Sequence, residues 1–544
     1  MRGRWALGSG LALLLLAACS AQAATCTSTV KADQFASSAQ LRQLNAKEAG
    51  FGARPTASAN QDEFIHWIER EVKDVRGVKT KSLGYDVDRW DSRSASLAVA
   101  GSDIPLAGPI PYSAAAPAGV TAPVSYVAAG ESINAANAAG RIVVVEDALE
   151  TYPASVFYPG ALGIDGYTPR GLEPDEPYSR DSRNEAAYLR AAQAAGAVGL
   201  IIAKDLPRDQ IAGFYRPYNG THWSLPGAFV GADEGARLKD AAAAGQSATL
   251  TAQSAFTPAT TRTLMATLPG PGKGRFVVES HTDGMNAVWD NGPVAMIAML
   301  AYLAELPKRC RPATVQFAFT TGHLYGGLGA GALAAQLDSE YDGGKVLGVM
   351  ALEHLGAREL ATVPRAQGPG SELQLTHRHE PTIVAVTQST PLRSLVAKEL
   401  TKFKLDRTVL VTGTDPPVTG RVPENCSFGG EGTPYERSLV PTIGVISGPR
   451  ELFTPGYGIE TIDFKYLRTQ TLTFTDLLLG IGELSRAEIA GDLLAMRDSR
   501  AAGAPGCATS EGRRTPRYSF HCGIQLPAGT SAGSPIFAST RTNG

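Results

Sequence analysis

The hydrophobic pattern changes character three times along the chain. Between Gln61 and Val72 the apolar residues Phe64, Ile65, Trp67 and Ile68 recur at helical spacing, and a strand-like segment follows that ends near Trp90. From about residue 96, proline, glycine, alanine and valine take over. Arg141-Ile-Val-Val-Val reads there as a buried strand, Asn184 to Ala197 as an alanine-rich helix, and Leu200-Ile-Ile-Ala and Ala228-Phe-Val as further strands. These predict βαβ-like units of a small domain. From 263 to 488 strands and helices alternate. The predicted strands are 275–280, 314–320, 346–352, 382–386, 409–411 and 442–446, and the predicted helices are 294–306, 327–337, 391–403 and 464–482. That order predicts an α/β fold with a mostly parallel, doubly wound sheet. The expected organisation is a leader over 1–23, the start of the larger domain over 24–95, a smaller inserted domain over 96–262, the main domain over 263–488, and a tail over 489–544 with no predicted element.

The leader has the form of an export signal. Positive charge in Met1-Arg-Gly-Arg precedes an apolar run from Leu7 to Ala18. Two processing routes fit it. Leu16-Ala17-Ala18-Cys19 resembles a bacterial lipoprotein box, which would place a lipid on Cys19, whereas Ala21-Gln22-Ala23 resembles an ordinary signal-peptidase site and fits release as a secreted or periplasmic protein. Either way the expected location is outside the cytoplasm, where cysteines pair. Cys507–Cys522 is the expected bridge, with Cys310 and Cys426 read as small buried hydrophobes. The 50 basic and 52 acidic residues leave a formal charge of −2, which supplies no field for nucleic acid or an anionic membrane surface. A membrane contact is expected only through the lipid on Cys19.

Candidate chemistry gathers where strands end. The first predicted strand of the main domain runs into Glu279-Ser280-His281-Thr282-Asp283, with Asp290-Asn291 at the start of the next helix. The second strand runs into Thr320-Thr321-Gly322-His323 and the third into Glu353-His354. In a parallel sheet the carboxyl ends of the strands are where functional groups collect. Each residue alone has an ordinary explanation: Asp290 as a helix cap, Glu353 as an arginine's partner, His354 as a core histidine facing away from Glu353. Together they point to one shared metal site. The histidines of Thr376-His377-Arg378-His379-Glu380 are read as solvated strand positions, and Gly326-Gly327-Leu328-Gly329 lacks the spacing of a dinucleotide loop.

These motifs resemble the co-catalytic zinc exopeptidases, the aminopeptidases and glutamate-carboxypeptidase-like proteins, and 96–262 resembles the protease-associated domain inserted in many of them. The resemblance implies that His281, Asp290 and Glu353 hold one zinc, with Asp283 orienting the imidazole of His281. The family's Glu-Glu pair, general base then ligand, stands here as Gly322-His323. His323 is therefore both a candidate ligand and the candidate base, and the late histidine ligand of the family is replaced by Gly458. Glu431 is a more distant candidate base. One zinc per chain is expected. Two functions follow: a zinc-dependent hydrolase of peptide or amide bonds acting on peptides or proteins, or a catalytically inactive member of the fold that binds peptide or protein.

Overall fold

Two unusually long strands organise the molecule. Lys79–Val99 and Ser247–Leu268 pair antiparallel along nearly their whole length, from Lys79 opposite Thr267 to Val99 opposite Ala248. One end of Ser247–Leu268 pairs with Thr314–Thr320, and the other with Ala116–Val127, so a single strand belongs to both halves of the fold. The computed structural model describes residues 26, 28–157, 166–413, 415–416, 418–420, 428 and 430–506; Cys19, Cys426 and the expected Cys507–Cys522 bridge lie outside them.

The larger half has the strand order Thr408–Thr412, Thr382–Val386, Thr442–Ser447, Val346–Leu352, Arg275–His281, Thr314–Thr320. Neighbours are parallel except where Thr382–Val386 meets Thr442–Ser447. Because side chains alternate along a strand, Phe276 and Val278 face one layer of helices while Val277 faces the other. Gly292–Glu305 and Phe464–Ile481 pack on the first face and Leu328–Tyr341 on the second, burying both sides as a parallel sheet requires. This is the α/β architecture the alternating pattern predicts.

The smaller half repeats the scheme. Ala116–Val127, Ile142–Asp147, Gly199–Lys204 and Gly227–Val230 are parallel, with Glu185–Ala194 on one face and Ala232–Ala243 on the other. The expected boundaries at 95/96 and 262/263 fall inside the two long strands. A shift in composition marks where the packing partner of a strand changes, and the hydrogen-bonded ladder continues through it.

Two expectations are corrected. Cys310 is bonded to Cys26, 284 residues away in sequence, so it staples the N-terminal segment to the main half. The stretch expected to lack structure forms the helix Leu493–Ala501, because Leu493 and Met496 pack on Leu439 while Arg497 pairs with Asp338 and Asp342. Its hydrophobic face is too short to register as periodicity, and the ion pairs are non-local. No described helix is long and apolar enough to cross a membrane.

Candidate metal centre

Three adjacent parallel strands deliver the centre. His281 is the last residue of Arg275–His281, His323 follows Thr314–Thr320 by three residues, and Glu353 follows Val346–Leu352 directly. All three are buried, and one nitrogen or oxygen from each lies within 4.8 Å of the other two. The imidazoles of His281 and His323 stack with ring centroids 3.9 Å apart.

The hydrogen bonds determine which atoms face inward. His281 Nδ1 lies 2.9 Å from the backbone carbonyl of Asp283, which can only accept, so Nδ1 carries the hydrogen. His323 Nδ1 lies 2.5 Å from Glu431 Oε1. Glu353 Oε1 accepts the backbone N–H of Glu431, a contact that requires Gly430, since a Cβ there would sit 2.0 Å from the same oxygen. What remains is His281 Nε2, His323 Nε2 and Glu353 Oε2, and each of these buried atoms has no hydrogen-bond partner. Lone pairs therefore face one another, with Nε2 of His281 3.5 Å from Oε2 of Glu353. A cation between them resolves the repulsion, and two imidazoles with a carboxylate are the donor set of an open zinc site. The residues fit a zinc-class ion.

Without a metal the cation is a proton. Burial alone pushes the His281 imidazole down, but its contact with Glu353 and the charges of Glu431, Glu353 and Asp283 lift it to about 9. Burial likewise pushes Glu353 up, and this is overcome by His281 and the fields of His354 and His323, which hold it at about 2. Behind the centre, Glu279 accepts from the Thr320 hydroxyl at 2.6 Å, and burial and the neighbouring Glu431 raise its carboxyl well above the usual range.

Several predicted roles change. Asp290 is not in the converging set. Its carboxylate is held by the guanidinium of Arg54, with Arg54 Nε 2.8 Å from Oδ2, and Arg54 also pairs with Glu48 at 2.9 Å; all three side chains are fully buried. Arg54 lies 236 residues away in sequence, and no local pattern announces it. Asp283 orients His281 through its backbone carbonyl, while its carboxylate accepts from the backbone of His323 at 3.2 Å and of Leu324 at 2.8 Å. His323 has one nitrogen on Glu431 and the other among the three converging atoms. His354 does not face away: a left-handed backbone, φ 54°, returns its ring to the centre, where Nε2 lies 3.5 Å from Glu353 Oε2. Its Nδ1 donates to the carbonyl of Ser447, and burial drives its basicity down to about 4, so the ring is neutral.

Gly322 is glycine for a local reason. Its φ is 77°, and a Cβ would lie 2.7 Å from that of Leu328. Glu431, first noted as distant, contacts both His323 and Glu353. Gly458 begins the short turn Ile459–Thr461. His379 is paired with Asp406 at 3.0 Å and stacked on Tyr466, away from the centre, while His377 is exposed.

The smaller half covers the centre. Tyr218 stacks on His323 with centroids 5.2 Å apart and packs on Trp289 and Phe453. Tyr215 and Trp223 lie in the same buried aromatic cluster.

Solved structures share this arrangement of strands and helices. A zinc aminopeptidase from Bacillus subtilis superposes with a TM-score of 0.56 at 17% identity, over 81% of this chain and 93% of that one. The chain has a zinc-exopeptidase-type fold. A peptidase M28 precursor from Shewanella amazonensis SB2B gives 0.55 at 15% identity over 82% and 96%. An aminopeptidase from Aneurinibacillus sp. strain AM-1 gives 0.53 at 15% over 82% and 95%. No family model matches the sequence, and no curated protein does. His281, His323 and Glu353 lie at the carboxyl ends of parallel strands, where ligand sites collect in open α/β sheets.

Proposed function

We propose that this protein is a metal-dependent hydrolase of peptide or amide bonds that holds one zinc-class ion on His281, His323 and Glu353. The observation that carries this reading is the convergence of three buried, unpartnered donor atoms whose companion atoms are all tied to the protein. When bound, the ion supplies a Lewis acid for a carbonyl oxygen and a nucleophile at neutral pH. The chain's own residues do the rest. The Asp283 carbonyl and the Glu431 carboxylate fix the two imidazoles so that Nε2 points inward. The neutral ring of His354, anchored through Nδ1, presents a lone pair beside Glu353 and can take up a proton during turnover. Tyr218 and Trp289 exclude bulk water from the same face.

A second reading is a non-catalytic protein that binds peptide or protein on this fold. Two observations favour it: Arg54 neutralises Asp290, and every residue of the centre is 2% exposed or less beneath Tyr218. In either reading we assign the smaller half the role of a protease-associated domain that governs access. We also place the protein outside the cytoplasm, lipid-anchored on Cys19 or released.

Elemental mass spectrometry on protein lacking residues 1–25, beside its His281→Ala variant, tests the centre. About one zinc per chain, lost in the variant, is the expected result. No bound metal after zinc is supplied at neutral pH overturns the hydrolase. Stoichiometric zinc without turnover of any aminoacyl or peptide substrate leaves the binding protein.

A further inference from the structure

The two candidate imidazole ligands leave the sheet at the point where its backbone ladder stops. Arg275–His281 and Thr314–Thr320 are parallel, and their pairing ends with His281 opposite Thr320. Beyond it the second chain turns away through Gly322, at φ 77°. A buried side-chain amide takes over there. Gln61, in the helix Ala59–Lys73, donates from Nε2 to the hydroxyl of Thr321 at 2.9 Å and to that of Thr282 at 3.2 Å. Thr282 directly follows His281, and Thr321 lies two residues before His323. One amide therefore spans the pair of residues that the ladder leaves open.

The direction of each of these bonds is determined. The backbone N–H of Ala57 lies 2.6 Å from Gln61 Oε1 and can only donate, so Oε1 accepts and Nε2 is the amide donor. The Thr282 hydroxyl donates to the carbonyl of Thr320 at 2.8 Å, which leaves its oxygen to accept from Gln61. The Thr261 hydroxyl donates to Gln61 Oε1 at 3.2 Å, and its oxygen lies 2.6 Å from that of Thr321, which therefore donates to it. Gln61, Thr321 and Thr261 thus close a ring of three hydrogen bonds that all run in one sense, an arrangement in which each bond polarises the next. All four side chains are buried. Thr261 stands on Ser247–Leu268, the strand shared by the two halves. The turn before the helix adds a hold on the same strand ends. Thr56 donates to the carboxylate of Asp283, which also accepts from the backbone of His323 and Leu324.

We propose that Gln61 is a positioning residue of the metal centre: it sets the offset between the strand ends that carry His281 and His323, and through Thr261 it ties that offset to the strand that leads into the smaller half. It touches none of the three converging donor atoms and acts through Thr282 and Thr321. This rests on the reading of the centre as a metal site, and the test separates the two. Zinc affinity is measured by competition with a chelator, and the cobalt(II)-substituted protein is examined by visible absorption, which follows ligand geometry. Gln61→Met keeps the length of the side chain and removes its hydrogen bonds. It is expected to hold zinc about 10- to 100-fold more weakly, with a shifted cobalt spectrum. Thr321→Val breaks the same ring from the other side and carries the test if Gln61→Met does not fold. Leu238→Ala, in the core of the smaller half and apart from this ring, is the control for lost stability, with zinc affinity and cobalt spectrum unchanged. Wild-type zinc affinity and cobalt spectrum in Gln61→Met overturn the proposal and leave the centre standing. An equal weakening in Leu238→Ala also overturns it, because the loss then follows from stability alone. A wild type that binds neither zinc nor cobalt overturns the centre and the proposal together.

Discussion

Asp290→Asn separates a metal ligand from a structural carboxylate. In the structure Asp290 grips Arg54 through both carboxylate oxygens, at full burial. Arg54 keeps Glu48 at 2.9 Å and the carbonyls of Glu48, Gly52 and Asn286 after the change. Glu48 takes over part of the pairing, because the charge of Asp290 is, after burial, one of the causes that hold its carboxyl well above the usual range. Removing one member of a buried pair costs about 3–5 kcal/mol, most of it from the stranded charge. The remaining partners of Arg54 place the expected loss toward the lower end of that range. Zinc content is expected to stay at the wild-type value, since the three converging atoms belong to other residues. Denaturant unfolding at unchanged slope reads the first quantity and elemental analysis the second. Loss of the metal with a stability change under about 1 kcal/mol would refute the reasoning, because it would mean that Asp290 leaves Arg54 to ligate.

Three further outcomes are expected. Glu431→Gln should weaken zinc binding about 10- to 100-fold, by loosening His323, with the near-UV spectrum retained; unchanged affinity in a competition with a chelator counts against that role. In metal-free protein the raised His281 stabilises fully below its ordinary 6.5 and loses that contribution as pH rises through about 9, while the depressed Glu353 stabilises fully above its ordinary 4.5 and loses it as pH falls toward about 2. The centre's contribution is thus greatest between those ordinary values, and zinc binding at pH 7.5 should expel about one proton, visible as a buffer-dependent heat. Cys310→Ser should cost about 2–5 kcal/mol by releasing the N-terminal segment, read as a lower unfolding midpoint in oxidising buffer only.

The order of strands and helices, the parallel sheet and the clustering of chemistry at His281, His323 and Glu353 were legible in the sequence, because alternation, turn signals and strand ends are local. Position along a strand also placed these residues at one edge of the sheet before any contact was known. What only the tertiary structure decided is what each side chain meets there. Arg54 reaches Asp290 from a distant segment and converts an expected ligand into half of an ion pair. One left-handed residue turns His354 back to the centre, and the close approach of Gly430 brings Glu431 against both His323 and Glu353. Cys310 finds Cys26 in the same way. Periodicity records which face of an element is buried; charge pairing and ligand geometry depend on distances between segments that the chain brings together only when folded.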